Sequence, residues 1–207
     1  AVLQGGTIFD YGLMGTDQMY YAVAADRLDG GAQVTASHNP GEYNGCKMVR
    51  AEAFPLSGEA GIKEMKEMIM AGAIPAPPAA SGRVEPRQIM DRYIEHVLSF
   101  VDEGSLRPFK VVLDAGSGVA GLVAPRLFDR LPCQTTRLCF EVDGTFPNHE
   151  ANPLIEENRR DITERVIIAS KGRFDRARSV KQRAEEGLHH ESTVMTEDFM
   201  ALTLDIW

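Results

Sequence analysis

The chain has 207 residues, of which 43% are hydrophobic and 25% are charged, a balance typical of a folded globular protein. The length suffices for one large domain or for two small domains with cores of their own. A formal net charge of −8 argues against a broad surface for nucleic acid or for an anionic membrane. The chain has no apolar run of membrane-spanning length, and its start lacks the pattern of a signal peptide. The three cysteines have no metal-like spacing and their number is odd, so we expect a reducing compartment, the cytoplasm.

The first half of the sequence predicts strands that alternate with helices. β-Forming residues between turn residues predict short strands at residues 7–11, 32–36 and 47–51. Apolar residues recur at helical spacing over residues 17–28, and Gly30 and Gly31 predict the end of that helix. A serine cap followed by acidic residues predicts a second helix over residues 57–71.

A proline-rich stretch separates these elements from the next helix. Residues 72–87 contain four of the eleven prolines, which favours an extended surface connection without a helix. Apolar residues at helical spacing then predict a helix over residues 88–101. Turn-forming residues follow, and we place a first domain at residues 1–103 and a second domain at residues 104–207.

The second half predicts a strand, a helix and a second strand, at residues 110–115, 119–130 and 134–141. Such a unit favours a parallel sheet with a right-handed crossover. The predicted fold class is therefore α/β, with mixed or parallel sheets and flanking helices. The turn GSGVAG at residues 116–121 also allows a nucleotide-binding interpretation, but it lacks the spacing of a dinucleotide-binding or P-loop motif.

The segment TASHNP at residues 35–40, followed closely by YNGCK, concentrates groups that handle phosphate. Ser37 is the candidate phosphoryl carrier, because a serine that accepts and returns phosphate needs an exposed turn, polar neighbours and a cation. His38 and Asn39 flank the hydroxyl, and Lys47 supplies the positive charge. His38 is interpreted either as a proton relay or as a hydrogen-bonding partner of the loop backbone. Lys47 has the alternative of a solvated lysine at a strand end.

Four segments together resemble the α-D-phosphohexomutases, specifically the bacterial phosphomannomutase and phosphoglucomutase branch. They are DGGAQVTASHNP, PLSGEAGIKEM, VVLDAGSGVAGLVAPRLF and DGTFPNHEANPL, and they follow the order found in the family. The resemblance covers about residues 1–168. It implies domain I of a phosphohexomutase without its first strand and helix, followed by a partial domain II. In the last segment we interpret Asn148 and His149 as loop residues in preference to a metal or sugar contact.

The resemblance also implies a reaction in which Ser37 carries a phosphoryl group between C6 and C1 of a hexose phosphate. In that reaction the phosphoserine converts a sugar monophosphate into a bisphosphate, which then returns its other phosphate to the serine. His38 and Lys47 are the further catalytic candidates, and Thr35 and Asn39 are candidates for binding substrate or phosphate. The expected partners are mannose or glucose phosphate and the bisphosphate intermediate, with no nucleic acid and no membrane.

The family resemblance further implies Mg²⁺, held by an aspartate-rich loop and the phosphoserine oxygen. The nearest counterpart is KGRFDR at residues 171–176, in which only Asp175 and Arg176 match the family pattern. We therefore expect Ser37, through its phosphate, and Asp175 as metal ligands, and Arg176 as a phosphate contact. Two cations stand where two carboxylates belong, and they would repel Mg²⁺, so this metal site looks degraded.

The two ends of the chain depart from the family pattern. A first strand and helix are expected upstream of residue 1, and the tail from about residue 169 diverges, as a frameshift or a splice of unrelated sequence would explain. We expect a fragment with little or no mutase turnover of its own. The alternative is a non-catalytic remnant or interaction module that retains the fold.

Overall fold

A computed structural model of the chain describes residues 1–169, 193–196 and 199–203. Contacts within the chain divide it into two compact units: unit 1 comprises Ala1–Thr35 and Gly45–Tyr93, and unit 2 comprises Ala36–Asn44 and Ile94–Trp207. Each unit contains both helices and strands, with parallel strand pairs, which confirms the predicted α/β class. Within the described part of the chain, no helix is both long enough and apolar enough to cross a membrane.

Unit 1 contains four strands: β1 (Thr7–Asp10), β2 (Gly30–Val34), β3 (Cys46–Arg50) and β4 (Arg83–Pro86). β1 pairs with β4 in parallel, and β2 pairs with β3 antiparallel. The sequence predicts the first three strands, but for residues 72–87 it predicts only extended backbone. β4 forms at the end of that stretch because it pairs with β1. The two strands lie far apart in the sequence, and a local pattern does not reveal such a pairing.

The helices that begin in unit 1 are α1 (Thr16–Ala25), α2 (Lys63–Met70) and α3 (Met90–Leu98). α1 ends five residues before Gly30, so the prediction that Gly30 and Gly31 terminate the helix is wrong. Both glycines lie in β2, and a Cβ at Gly31 would lie 2.6 Å from Cγ2 of Val23 on α1. Glycine is required there because the strand backbone approaches the helix closely.

The second predicted helix begins later than its sequence pattern suggests. Residues Gly58–Ile62 form a π-type turn with non-helical angles, including a φ of 125° at Gly61. Regular helix starts only at Lys63. The apolar core of unit 1 forms between α1, β3 and the start of α3, and it comprises Met14, Met19, Ala22, Val23, Val49 and Ile89.

The sheet of unit 2 has four strands: β5 (Lys110–Asp114), β6 (Gln134–Leu138), β7 (Thr193–Thr196) and β8 (Phe199–Thr203). Their order is β6-β5-β8-β7, and β5 runs parallel to both of its neighbours. The helix α4 (Ala120–Phe128) connects β5 to β6, and α5 (Arg160–Ala169) follows the loops after β6. The predicted parallel strand–helix–strand unit is therefore confirmed. β7 and β8 both lie beyond residue 169, in the tail that departs from the family pattern.

The core of unit 2 surrounds β5. Leu113 is fully buried, and Val111 and Val112 are each 2% exposed, as expected for a central parallel strand covered on both faces. Ile162 and Val166 of α5 pack against Val112. This buried strand ends at Asp114, so the loops beyond it lie at the carboxyl edge of the sheet, where α/β proteins usually place ligands.

Candidate functional site

Ser37 lies in the loop that follows β2, where its side chain is half-buried. Its backbone is left-handed, with a φ of 58°, a conformation that residues other than glycine rarely adopt. Its Oγ lies 3.2 Å from Nδ1 of His38. When Nδ1 carries no proton, the serine hydroxyl donates this hydrogen bond, and His38 is placed to accept the hydroxyl proton. The structure thus brings the predicted phosphoryl carrier and the predicted proton relay into contact.

Asn39 shapes the turn that holds these two side chains. Its Nδ2 and its backbone N–H both donate to the carbonyl oxygen of Ala36, at 2.6 and 3.2 Å. The N–H of Tyr43 donates to the carbonyl of Pro40 at 2.9 Å and closes the next turn. Through these hydrogen bonds Asn39 stabilises the loop. Its role as a substrate contact remains a prediction.

Thr35 and Lys47 belong to the β2–β3 hairpin of unit 1. The backbone N–H of Thr35 donates to the carbonyl of Gly45 at 3.1 Å and extends the hairpin by one pair. Lys47 lies in β3 opposite Gln33 and is half-buried. The hairpin backbone therefore holds both residues in place, which suits a side chain that must keep a fixed position.

The last two predicted site residues, Asp175 and Arg176, lie outside the described residues. Among the residues that the structure does describe, one group of three or more histidine, cysteine or acidic side chains brings its ligand atoms close together: Asp114, Cys139 and His149. This group offers sulfur and nitrogen as well as oxygen. Mg²⁺ prefers oxygen ligands in an octahedral arrangement, so this group does not suit Mg²⁺.

The Asp114–Cys139–His149 group lies at the carboxyl edge of the unit 2 sheet. Asp114 is the last residue of β5 and is 1% exposed. Its Oδ1 accepts a hydrogen bond from the N–H of Gly116 at 2.9 Å, and its Oδ2 lies 3.1 Å from Nε2 of His149. The same Nε2 lies 3.7 Å from Sγ of Cys139. Burial, and then the neighbouring carboxylate of Asp114, raise the pKa of the Cys139 thiol to about 12.

Sequence reasoning missed this group. The spacing of the cysteines along the chain gave no sign of a metal site, and Asn148 and His149 were interpreted as loop residues. Both residues do lie in a loop, and Nδ2 of Asn148 donates to Oγ of Ser117 at 3.5 Å. The signal that could have found the group was positional: Asp114 and Cys139 both lie near the carboxyl ends of two strands that the sequence predicts to be parallel.

The GSGVAG turn forms the connection from β5 into α4. Gly116 has a φ of 52°, and the N–H of Gly118 donates to the carbonyl of Ala115 at 2.9 Å. A Cβ at Gly121 would lie 2.3 Å from the carbonyl oxygen of Phe140. Turn geometry and close packing therefore account for glycines at these positions, without a bound nucleotide.

Comparison with known protein families finds two matches along the chain. The sequence model of phosphoglucomutase/phosphomannomutase, alpha/beta/alpha domain I, matches residues 1–73. The model of alpha/beta/alpha domain II of the same family matches residues 91–174. The two matches follow each other in chain order and together cover most of the sequence.

Individual relatives agree with these matches. A protein of Xanthomonas campestris named "Phosphohexose mutases" is 40% identical over 182 residues, which are 83% of this chain and 40% of the relative. A phosphomannomutase of Salmonella typhimurium is 39% identical over 185 residues, 83% of this chain and 41% of the relative. The chain thus spans about two fifths of the length of these relatives.

A solved structure shows the same fold. The crystal structure of a phosphoglucomutase/phosphomannomutase family protein from Burkholderia thailandensis aligns with a TM-score of 0.66 and 33% sequence identity. The alignment covers 77% of this chain and 35% of that protein. The family matches, the relatives and the shared fold confirm the resemblance inferred from the sequence. The chain therefore belongs to the phosphoglucomutase/phosphomannomutase family.

Proposed function

We propose that this chain carries the phosphoserine chemistry of a hexose-phosphate mutase, with Ser37 as the phosphoryl carrier and mannose or glucose phosphate as the substrate class. The observation that carries the proposal is the contact between Ser37 Oγ and His38 Nδ1, at 3.2 Å, on a left-handed turn. The relatives named phosphomannomutase and phosphohexose mutase support the substrate class. We place this chemistry in a first domain of residues 1–103, followed by a second domain of residues 104–207, and we propose a cytoplasmic protein.

The geometry supports a specific first step, the transfer of one phosphoryl group from a hexose bisphosphate to Ser37. The Oγ attacks phosphorus, a new Oγ–P bond forms, and the bond from phosphorus to the sugar oxygen breaks. The hydroxyl proton passes to Nδ1 of His38, and the departing sugar oxygen keeps the bonding electron pair and takes up a proton. Transfer to a sugar monophosphate is the reverse of this step with the other hydroxyl as acceptor.

The remaining predicted residues have supporting roles in this proposal. Lys47 supplies positive charge to the phosphate, while Thr35 and Asn39 contact phosphate or substrate. The phosphohexomutase family is generally magnesium-dependent, and bound Mg²⁺ would supply charge stabilisation to the transferring group. The predicted ligands are Ser37, through its phosphate, and Asp175, and the latter lies outside the described residues. We also propose that the chain alone has little or no complete mutase turnover.

The proposal is tested by intact-protein mass spectrometry after incubation with glucose 1,6-bisphosphate or mannose 1,6-bisphosphate. We expect a gain of one phosphoryl group, which peptide mapping locates at Ser37. The Ser37→Ala variant should gain none. Ser57→Ala, which removes an exposed serine of unit 1, is the matched control and should be phosphorylated like the unaltered chain.

Two outcomes would contradict the proposal. Absence of phosphate on the folded, unaltered chain at saturating bisphosphate would favour a non-catalytic remnant that retains the fold. Phosphate that persists in Ser37→Ala would assign the carrier to another residue. A direct assay with mannose 1-phosphate or glucose 1-phosphate, Mg²⁺ and bisphosphate tests whether the chain alone lacks mutase turnover. Robust formation of the 6-phosphate would overturn that part of the proposal.

A further inference from the structure

Three side chains with metal-binding atoms meet at the carboxyl edge of the unit 2 sheet, and none of them belongs to the loop that contains Ser37. Asp114 ends β5, and Cys139 directly follows Leu138, the residue of β6 that pairs with Asp114. His149 comes from the loop after β6. Because β5 and β6 are parallel, their carboxyl ends lie side by side, and the loop needs only to fold back for all three groups to meet.

The separations match a tetrahedral metal site. Nε2 of His149 lies 3.1 Å from Oδ2 of Asp114 and 3.7 Å from Sγ of Cys139. All three ligand atoms lie within 4.8 Å of one another. Zinc bonds to oxygen, nitrogen and sulfur are roughly 2.0–2.3 Å long, so tetrahedral angles place ligand atoms about 3.3–3.6 Å apart. The two distances from Nε2 of His149 therefore lie within a few tenths of an ångström of those that such an ion requires.

The hydrogen bonds of His149 favour a cation in this position. Its Nδ1 lies 2.8 Å from the backbone carbonyl of Glu150, while its Nε2 faces the carboxylate of Asp114. Both partners are acceptors, but a neutral imidazole has a single N–H to donate. If Nδ1–H donates to the carbonyl, the lone pair of Nε2 points at carboxylate and sulfur. This is the tautomer found in metal-bound histidines, where a backbone carbonyl orients the ring.

We propose that Asp114, Cys139 and His149 bind a divalent cation of the zinc class. Metal binding would release the proton of the Cys139 thiol to solvent. The resulting thiolate and an imidazole select borderline-soft ions, whereas Mg²⁺ requires oxygen. The site is thus chemically distinct from the Mg²⁺ site that the family resemblance implies. Three protein ligands leave one tetrahedral position for water or another small ligand.

The proposed ion would fasten a specific loop to the sheet. Asp114 is buried, but the His149 side chain is 11% exposed and Cys139 is half-buried, so an ion has access. The same loop contains Gly144, whose carbonyl oxygen would lie 3.0 Å from a Cβ at Gly41. Gly41 belongs to the serine loop, which is the loop between β2 and β3 that contains Ser37. Gly41 and Gly144 are both in unit 2. Metal binding at His149 therefore bears on the loop against which the serine loop packs.

Cobalt and zinc are the probes for this site. Co²⁺ added to the reduced, full-length chain should produce a thiolate-to-cobalt charge-transfer band that saturates at one equivalent, and Zn²⁺ should remove it. Cys139→Ser should abolish the band, and His149→Gln should weaken Co²⁺ binding by about 10- to 100-fold or more. Cys133→Ser, which changes the neighbouring half-buried cysteine, is the matched control and should bind like the unaltered chain.

Alkylation of the unaltered chain gives a second test that does not depend on the folding of a variant. One equivalent of Zn²⁺ should slow the reaction of iodoacetamide with Cys139 at least about tenfold, an effect of the size expected when a metal occupies a thiol. Cys46 and Cys133 should react equally fast with and without Zn²⁺, and Mg²⁺ in excess should protect none of the three. The proposal is overturned by equal reactivity of Cys139 with and without Zn²⁺, or by a charge-transfer band that survives in Cys139→Ser. In those cases hydrogen bonds within the group account for the contacts of His149.

Discussion

The hydroxyl of Tyr11 donates a hydrogen bond of 2.6 Å to the carboxylate of Asp26, which lies directly after α1. Arg92 donates to the other oxygen of the same carboxylate at 2.7 Å. Burial of Asp26 favours its neutral form, but the hydrogen bonds from Tyr11 and Arg92 outweigh it and hold the pKa of Asp26 below its ordinary value. Three segments of unit 1 that are distant in sequence are therefore joined through one ionised carboxylate.

The first prediction is that Asp26→Asn lowers the stability of the protein at neutral pH by about 1.5–3 kcal/mol, the range for hydrogen bonds to charged groups. Because the pKa of Asp26 is lower in the folded state, its contribution is present above the unfolded-state pKa. It is lost as the pH falls through the folded-state pKa. The difference between the two proteins should thus shrink at acidic pH in urea titrations. Asp29→Asn, at an exposed position, should leave the curve unchanged; a constant difference at every pH would contradict the assignment.

The second prediction concerns the last glycine of the GSGVAG turn. Gly121→Ala should destabilise the protein by about 1–3 kcal/mol, because the added Cβ would lie 2.3 Å from the carbonyl oxygen of Phe140. Gly144→Ala is the matched control, since nothing lies within 4 Å of a Cβ there. Thermal unfolding followed by circular dichroism measures both variants. Equal melting temperatures would show that α4 does not pack on this backbone as described.

The third prediction compares two isoleucines of the same helix. Ile162 and Ile168 both lie in α5, but the first is 4% exposed and packs in the core of unit 2, whereas the second is 69% exposed. Ile162→Ala should lower the free energy of unfolding by about 2–5 kcal/mol. Ile168→Ala should change it by less than about 0.5 kcal/mol. Since both substitutions alter helix propensity equally, similar losses would mean that α5 does not cover the sheet.

These contacts show which parts of the structure the sequence could reveal. β5 was predictable because a run of buried valines and a leucine is a local pattern that belongs to a central parallel strand. The contact of Ser37 with His38 could be predicted because the two residues are neighbours in the chain. The meeting of Asp114 with His149 depends on strand register and on the fold of a loop, which no local pattern records.

The errors have the same physical origin. The sequence assigned Gly30 and Gly31 to the end of a helix, where glycine is common, but tertiary packing places both in β2, with Gly31 against Val23. β4 and β8 exist because distant partners supply their hydrogen bonds, at β1 and β5. β4 lies at the end of the proline-rich stretch, and β8 lies in the tail that departs from the family pattern.

The fourth prediction separates the two interpretations of His38 and depends on the proposed phosphorylation of Ser37. A proton relay requires a basic Nδ1, whereas a structural hydrogen bond requires only a polar atom in that position. His38→Asn keeps a side chain that can hydrogen-bond to Ser37 but cannot take its proton. If His38 is the relay, this variant should phosphorylate Ser37 about 10²–10⁴-fold more slowly than the unaltered chain, the usual contribution of general base catalysis.

The measurement is the rate at which phosphate appears on Ser37, followed by mass spectrometry at a fixed bisphosphate concentration. His96→Asn, at an exposed position of α3, is the matched control and should retain the rate of the unaltered chain. An unchanged rate in His38→Asn would limit His38 to shaping the serine loop, because a side chain without a basic nitrogen would then serve equally well.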